Sequence, residues 1–141
     1  MRVLGFDFGM QRTGVAIASK LTGVATPLCT LNSVNNKPDW AGISRLIGEW
    51  RPAQLVVGMP FYLDGKQNDM TARVERFCRQ LEGRYQLPVD TISEQLTSRE
   101  AEQRLKLSRQ AGRKKKVKKQ EVDQLAAAII LESWISQHAT H

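Results

Sequence analysis

Val3-Leu4-Gly5-Phe6-Asp7-Phe8-Gly9-Met10-Gln11-Arg12-Thr13-Gly14-Val15-Ala16-Ile17-Ala18-Ser19 holds two short apolar runs joined by a tight turn, with a carboxylate inside the first run. Val3 to Gly9 is short, apolar and aromatic, and ends in glycine, so it reads as a buried strand. Thr13 to Ser19 is a second strand, reached through Gly9-Met10-Gln11-Arg12, and Ala25 to Leu31 is a third. Three consecutive strands with short connections predict an antiparallel meander. Asp7 stands between Phe6 and Phe8, and in an alternating strand it shares a face with Gly5 and Gly9. The missing side chains there would let a bulky ligand approach the backbone. A buried carboxylate is costly unless paired, so a cation is its expected partner; the blander alternative is an Asp that caps the following turn.

Downstream the pattern changes. Trp40, Ile43, Leu46, Ile47 and Trp50 follow a capping Asp39 at helical spacing and stop before Pro52. Leu55-Val56-Val57-Gly58-Met59 is a continuous buried strand, and Asp64-Gly65 marks a loop. A second helix carries Met70, Val74, Phe77, Leu81 and Tyr85 on one face, and Val89 to Glu94 forms the next strand. Strand and helix therefore alternate as in parallel βα units. Thr97-Ser98-Arg99-Glu100 fits a capping box that opens a third helix, and a last helix runs from about Glu121 to Ser136. No repeat or linker divides the chain, and 141 residues suit a single domain over 1–141.

Two more carboxylates stand out. Glu94 ends its strand at a carboxyl edge, where α/β sheets tend to hold their sites, although an acid before a helix start is also plain favourable helix electrostatics. Asp123 shares a stripe with Ala126, Ala127, Ile130 and Trp134, so the core-facing side of the last helix begins with an acid. The small alanines predict close packing on the sheet, which would carry Asp123 toward the strand ends. Three inward acids on two strands and a helix could hold one or two Mg²⁺ or Mn²⁺ ions, two of them when substrate is bound. Such a pair, about 4 Å apart, suits phosphodiester hydrolysis.

The charge distribution fits that chemistry. Between Arg104 and Lys119 lie nine basic residues and no acid, within a net charge of +7, so the rest of the chain carries −2. A basic segment on a mildly acidic body predicts contact with a polyanion, phosphate backbones first and anionic membrane second. Arg113, Lys114, Lys115, Lys116, Lys118 and Lys119, together with Arg12 in the first turn, are the expected nucleic-acid contacts. The segment at about 106–119 lacks apolar periodicity and is predicted to be a mobile loop. The composition, 41% hydrophobic and 25% charged with a mean hydropathy of −0.38, is that of a soluble globular protein. No membrane span or signal-peptide pattern occurs, which predicts a cytoplasmic protein. Cys29 and Cys78 form no CxxC pair and are expected to be buried reduced thiols. His138 and His141 are expected to be solvated tail residues, Asp64 and Asp69 turn and cap residues, and the three tryptophans core.

Gly5-Phe6-Asp7-Phe8-Gly9-Met10-Gln11-Arg12-Thr13-Gly14-Val15-Ala16, Val56-Val57-Gly58-Met59-Pro60 with Leu63-Asp64-Gly65, Glu94-x-x-Thr97-Ser98 and Val122-Asp123-x-x-Ala126-Ala127 with Ile130-Leu131 resemble the bacterial YqgF (RuvX) family in order, spacing and length. The resemblance implies an α/β ribonuclease H-like fold similar to RuvC: a mixed five-stranded sheet, antiparallel meander plus parallel strands, with helices on both faces. It also implies a metal-dependent nuclease, first proposed as a Holliday junction resolvase and later connected with maturation of the 5′ end of the small-subunit ribosomal RNA precursor. By position Asp7, Glu94 and Asp123 match the family's catalytic, metal-holding acids. Ser93 and Gln95 stand where members commonly have Asp and Arg, and Tyr62 where many have Asn.

The expected function is therefore metal-dependent cleavage of structured RNA, with ribosomal precursor particles as partners and a monomer or weak homodimer as the working form. A resolvase of four-way DNA uses the same chemistry but needs a symmetric dimer. A non-catalytic nucleic-acid-binding factor in transcription or ribosome assembly is the alternative of another class. The first turn also resembles the phosphate hairpin of actin-like ATPases, but those enclose nucleotide between two lobes, and this chain has length for one.

Overall fold

The structure, a computed structural model, describes residues 1–59, 69–93 and 119–138. Five strands, β1 (Arg2–Phe8), β2 (Arg12–Ser19), β3 (Ala25–Asn32), β4 (Gln54–Met59) and β5 (Val89–Ser93), form one sheet in the order β3-β2-β1-β4-β5. Helices α1 (Trp40–Trp50), α2 (Asp69–Tyr85) and α3 (Lys119–His138) complete the described fold. β1, β2 and β3 pair antiparallel, whereas β4 joins β1, and β5 joins β4, in parallel. The meander and the βα units are thus both present, as the sequence predicts. The predicted third helix and the basic segment fall outside the described residues.

Strand alternation sorts the apolar side chains into two layers. Leu4, Phe6, Val15, Ile17, Leu55 and Val57 pack with Ile43 and Leu46 of α1 and Val74, Phe77 and Leu81 of α2. On the opposite face Val3, Ala16, Ala18 and Val56 pack with Ala127, Ala128, Ile130, Leu131, Trp134 and Ile135 of α3. That second layer is rich in small residues, so α3 approaches the strands closely. Gly5 shows how closely: a methyl group there would overlap the Leu131 side chain. The room beside Asp7 is consequently filled by helix at Gly5, and at Gly9 a methyl would press on the Arg12 carbonyl oxygen. This corrects the expectation of ligand space at both glycines.

Local signals fix the ends. Asp39 caps α1 by accepting a hydrogen bond from the Gly42 amide at 3.0 Å. Arg51 closes the helix with φ 48° and a bond from its amide to the Ile47 carbonyl. Between β3 and α1, Val34 and Lys37 exchange two backbone hydrogen bonds around Asn35 and Asn36, both at positive φ (53° and 63°), a conformation that Asn tolerates better than most residues. β3 lies at the sheet edge, which is where Pro27 can be accommodated; the β2–β3 register shifts between Val15 and Ala16. α3 is longer than the predicted helix by two residues at each end. No described helix is long and apolar enough to cross a membrane.

Candidate active site

Asp7 is the penultimate residue of β1, on the face that Gly5 turns toward α3, and it is half-buried. In the β1–β2 register its partner is Gly14. Gly14 has no side chain for a reason the structure makes plain: a methyl group there would overlap the backbone carbonyl of Asp123. The first turns of α3 therefore rest directly on the strand opposite Asp7. The backbone of Asp123 thus lies on the register partner of Asp7 near the carboxyl end of β1, although 116 positions separate the two acids in sequence.

Arg12 begins β2 and reaches across to α3, where its Nε donates to Asp123 Oδ2 at 2.9 Å. Side chains at this pair are 31% and 23% exposed, so the bond is only partly screened by water. The arginine predicted to meet phosphate thus meets a carboxylate predicted to hold metal. The bond engages one oxygen of the acid, Oδ2. A cleft of about 640 Å³ opens beside the pair, bounded by Phe8, the turn at residues 9–12, Ser33, Asn36, Pro38, Arg73 and Asp123.

Glu94 lies outside the described residues, directly after β5. That strand ends at Ser93, which pairs with Met59 at the same carboxyl edge where β1 delivers Asp7. Arg113, Lys114, Lys115, Lys116 and Lys118 also lie outside the described residues, as does the side chain of Lys119. Among the described residues no three metal-ligating side chains gather at one point; two of the three expected acids are among them. Arg73 is a site residue the sequence reading passed over. It is one of several arginines spread along α2 at helical spacing, and a reading that sought unbroken runs of charge gives it no weight.

Three expectations are corrected here. His138 is not a tail residue without a carboxylate: it stacks on Trp134 with centroids 4.4 Å apart, and its Nε2 lies 3.5 Å from Asp90 Oδ2. The same Asp90 oxygen accepts from Trp134 Nε1 at 2.7 Å, so these side chains tie the end of α3 to β5. His141 lies outside the described residues. Cys29 and Cys78 are free thiols but half-buried rather than buried, and burial pushes both pKa values up, Cys78 to about 11. Of the tryptophans only Trp134 is fully in the core; Trp40 and Trp50 pack against its rim.

A mixed sheet with an antiparallel meander, parallel outer strands and acids from β1 and a carboxy-terminal helix at one edge defines the ribonuclease H-like class. Solved structures bear out the fold. RuvC of Thermus thermophilus in complex with a Holliday junction substrate superposes with a TM-score of 0.59 at 17% identity, covering 99% of this chain and 97% of that one. The fowlpox virus resolvase with substrate Holliday junction DNA gives 0.61 at 11% identity over 99% of this chain and all of that one. The family model described as RuvX, Holliday junction resolvase, matches residues 1–137, and the chain belongs to that family. Relatives named "Putative pre-16S rRNA nuclease" are 44% identical in Pseudomonas putida, over 94% of this chain and 93% of the relative, and 48% identical in Methylococcus capsulatus, over 94% and 87%.

Proposed function

We propose that the protein is a metal-dependent nuclease that hydrolyses phosphodiester bonds in structured RNA, acting in maturation of the 5′ end of the 16S ribosomal RNA precursor. The observation that carries this reading is the contact at Gly14, which seats Asp123 beside the strand position of Asp7. The RuvX family membership and the names of the relatives support the reaction class and the RNA substrate.

The donor set suits a hard divalent cation, since Asp7, Asp123 and, by sequence position, Glu94 offer only carboxylate oxygens. These three residues would hold Mg²⁺ or Mn²⁺, which when bound supplies a reactive water at neutral pH and neutralises charge on the leaving oxygen. The protein's own groups do the rest. Arg12 fixes the carboxylate plane of Asp123 through Oδ2, so that Oδ1 is held without a search through rotamers. Arg73 faces the same cleft and supplies positive charge where a substrate phosphate would lie. Arg113, Lys114, Lys115, Lys116, Lys118 and Lys119 add electrostatic attraction for the RNA backbone.

Asp7→Asn tests the reading directly. Cleavage of an RNA carrying the extended 5′ end should fall by more than the roughly 10–100-fold that loss of an outer-shell partner costs, while RNA binding persists. Full activity in that variant would overturn it. The family description favours a second reading, resolution of four-way DNA junctions. That chemistry needs two active sites on two strands, so a dimeric mass in solution with symmetric junction nicking would put it first.

A further inference from the structure

On the α1–α2 side of the sheet a second hollow, about 370 Å³, is bordered by Lys37, Arg73, Arg76 and Arg84 around Trp40 and Phe77, and among the described residues no acidic one lines it. It is continuous with the cleft beside Asp123, because Phe8, Asn36, Pro38 and Arg73 border both. Its floor is a row of rings in which Phe8 and Trp40 are partly exposed and Phe77, buried between them, supports both. Phe8, the residue after Asp7, lies 4.7 Å from Phe77, which lies 5.6 Å from Trp40. The Arg84 guanidinium covers Trp40 at 4.1 Å from the ring centroid.

The arrangement on α2 is periodic. Exposed Arg73, Arg76 and Arg84, with half-buried Gln80, follow the helical repeat along one stripe, while Glu75 and Glu82 crowd Cys78 on another. Lys37 enters from the opposite wall, placed by the turn at Asn35 and Asn36. Cations spaced along a groove, above aromatic rings and a flat guanidinium, are what a single nucleic-acid strand requires: phosphates meet the charges, and unpaired bases stack on ring or guanidinium planes. A duplex keeps its base faces stacked on one another and can use only the charges.

We propose that this groove is a binding tract for a single-stranded nucleic-acid segment that adjoins the scissile phosphate. The tract begins at Phe8 beside the Asp123 cleft and runs over Trp40 to Arg84. The nuclease is thereby specific for a junction, with the scissile phosphate at the acids and the unpaired flank held on α2. The inference deepens the nuclease reading and rests on it for the meaning of the shared cleft, but the groove's own binding can be measured without cleavage.

The test uses the full chain in EDTA, with fluorescence anisotropy of a labelled uridine-rich RNA of about 12 nucleotides, within the range one such groove spans. A blunt RNA duplex of the same length and an acidic peptide are the comparison ligands. Arg76→Gln/Arg84→Gln removes two exposed cations while keeping good helix formers, so the fold should persist with only the small drop in thermal stability expected from losing the Arg84 contact with Trp40. For the single strand, the slope of log affinity against log salt should flatten by about 1.4, at roughly 0.7 per lost phosphate contact. Duplex binding should change less than twofold. Photocrosslinking of an iodouridine-substituted strand to the wild type should map to Trp40 or Phe8. An unchanged single-strand slope, an equal loss for the duplex, crosslinks only elsewhere, or peptide binding with the same dependence on the two arginines would each overturn the proposal. If the wild type cleaves nothing but the slope change is found, the nuclease reading fails and the groove stands; if it binds no RNA, both fail.

Discussion

Gly14 and Gly48 are the same residue type with opposite roles, and a methyl group distinguishes them. At Gly14 it would overlap the Asp123 carbonyl, so Gly14→Ala has to lift α3 from the sheet or distort β2. Overpacking of this kind costs about 1–3 kcal/mol, and it displaces the acid whose position the site depends on. At Gly48, inside α1, a methyl would meet nothing within 4 Å. Gly48→Ala should therefore stabilise by roughly 1 kcal/mol through helix propensity. Urea unfolding of the two variants should shift in opposite directions, with RNA cleavage lost only in Gly14→Ala. Cys78 shows a second residue-scale effect. Burial, then the nearby Glu82 and Glu75, raises its pKa from 9.0 to about 11. The unfolded chain ionises this thiol first, so its contribution to stability is complete below about pH 9 and is lost as pH rises toward about 11. Wild type should lose more stability than Cys78→Ala between those values, measured as the difference in urea midpoints, and alkylation of the native thiol should be slow below pH 9.

At the scale of elements, the cap on α1 connects local sequence to the groove. Asp39 satisfies the Gly42 amide, and Gly42 fits because a methyl there would press on Asp39 and Leu31. Asp39→Ala should cost about 0.5–2 kcal/mol in chemical unfolding and loosen the turn that begins with Trp40. Much at this scale was legible in the sequence, because period-2 and period-3.6 patterns record which face is buried. Leu4 and Phe6 against Val3 and Gly5 show both layers of the sheet, and Val74, Phe77 and Leu81 show the buried face of α2. The same logic singled out Asp7 and Asp123 as acids where apolar residues belong. Pairings across long sequence separations left no such trace. Nothing local to Arg12 says that it will bond Asp123 rather than phosphate, and nothing local to Asp90 says that it will receive Trp134 and His138. The room inferred beside Gly5 went to Leu131 for the same reason: its occupant comes from a helix near the other end of the chain.

For the whole molecule, the distribution of charge matters more than its sum. Nine cations between Arg104 and Lys119 turn a body of −2 into a protein of +7. Within that body, α2 sets Arg73, Arg76 and Arg84 along one stripe, so one side is basic without the lysine run. Two basic tracts, one on α2 and one in the sequence from Arg104 to Lys119, suit a substrate that offers both paired and unpaired RNA. The tracts should then be separable by ligand. Replacing Lys114, Lys115, Lys116 and Lys118 with Gln should flatten the salt dependence of duplex binding by up to about 3.6, at roughly 0.9 per phosphate by analogy with double-stranded DNA. Association should slow more than dissociation quickens, because these charges act at long range. Single-strand binding should keep most of its slope, the reverse of the pattern expected for Arg76→Gln/Arg84→Gln. Stopped-flow binding of duplex and single-stranded RNA to both variants at several salt concentrations checks this. Equal losses on both ligands from either variant would mean one continuous, unselective basic surface, and recognition of a junction between paired and unpaired RNA would have to arise elsewhere in the chain.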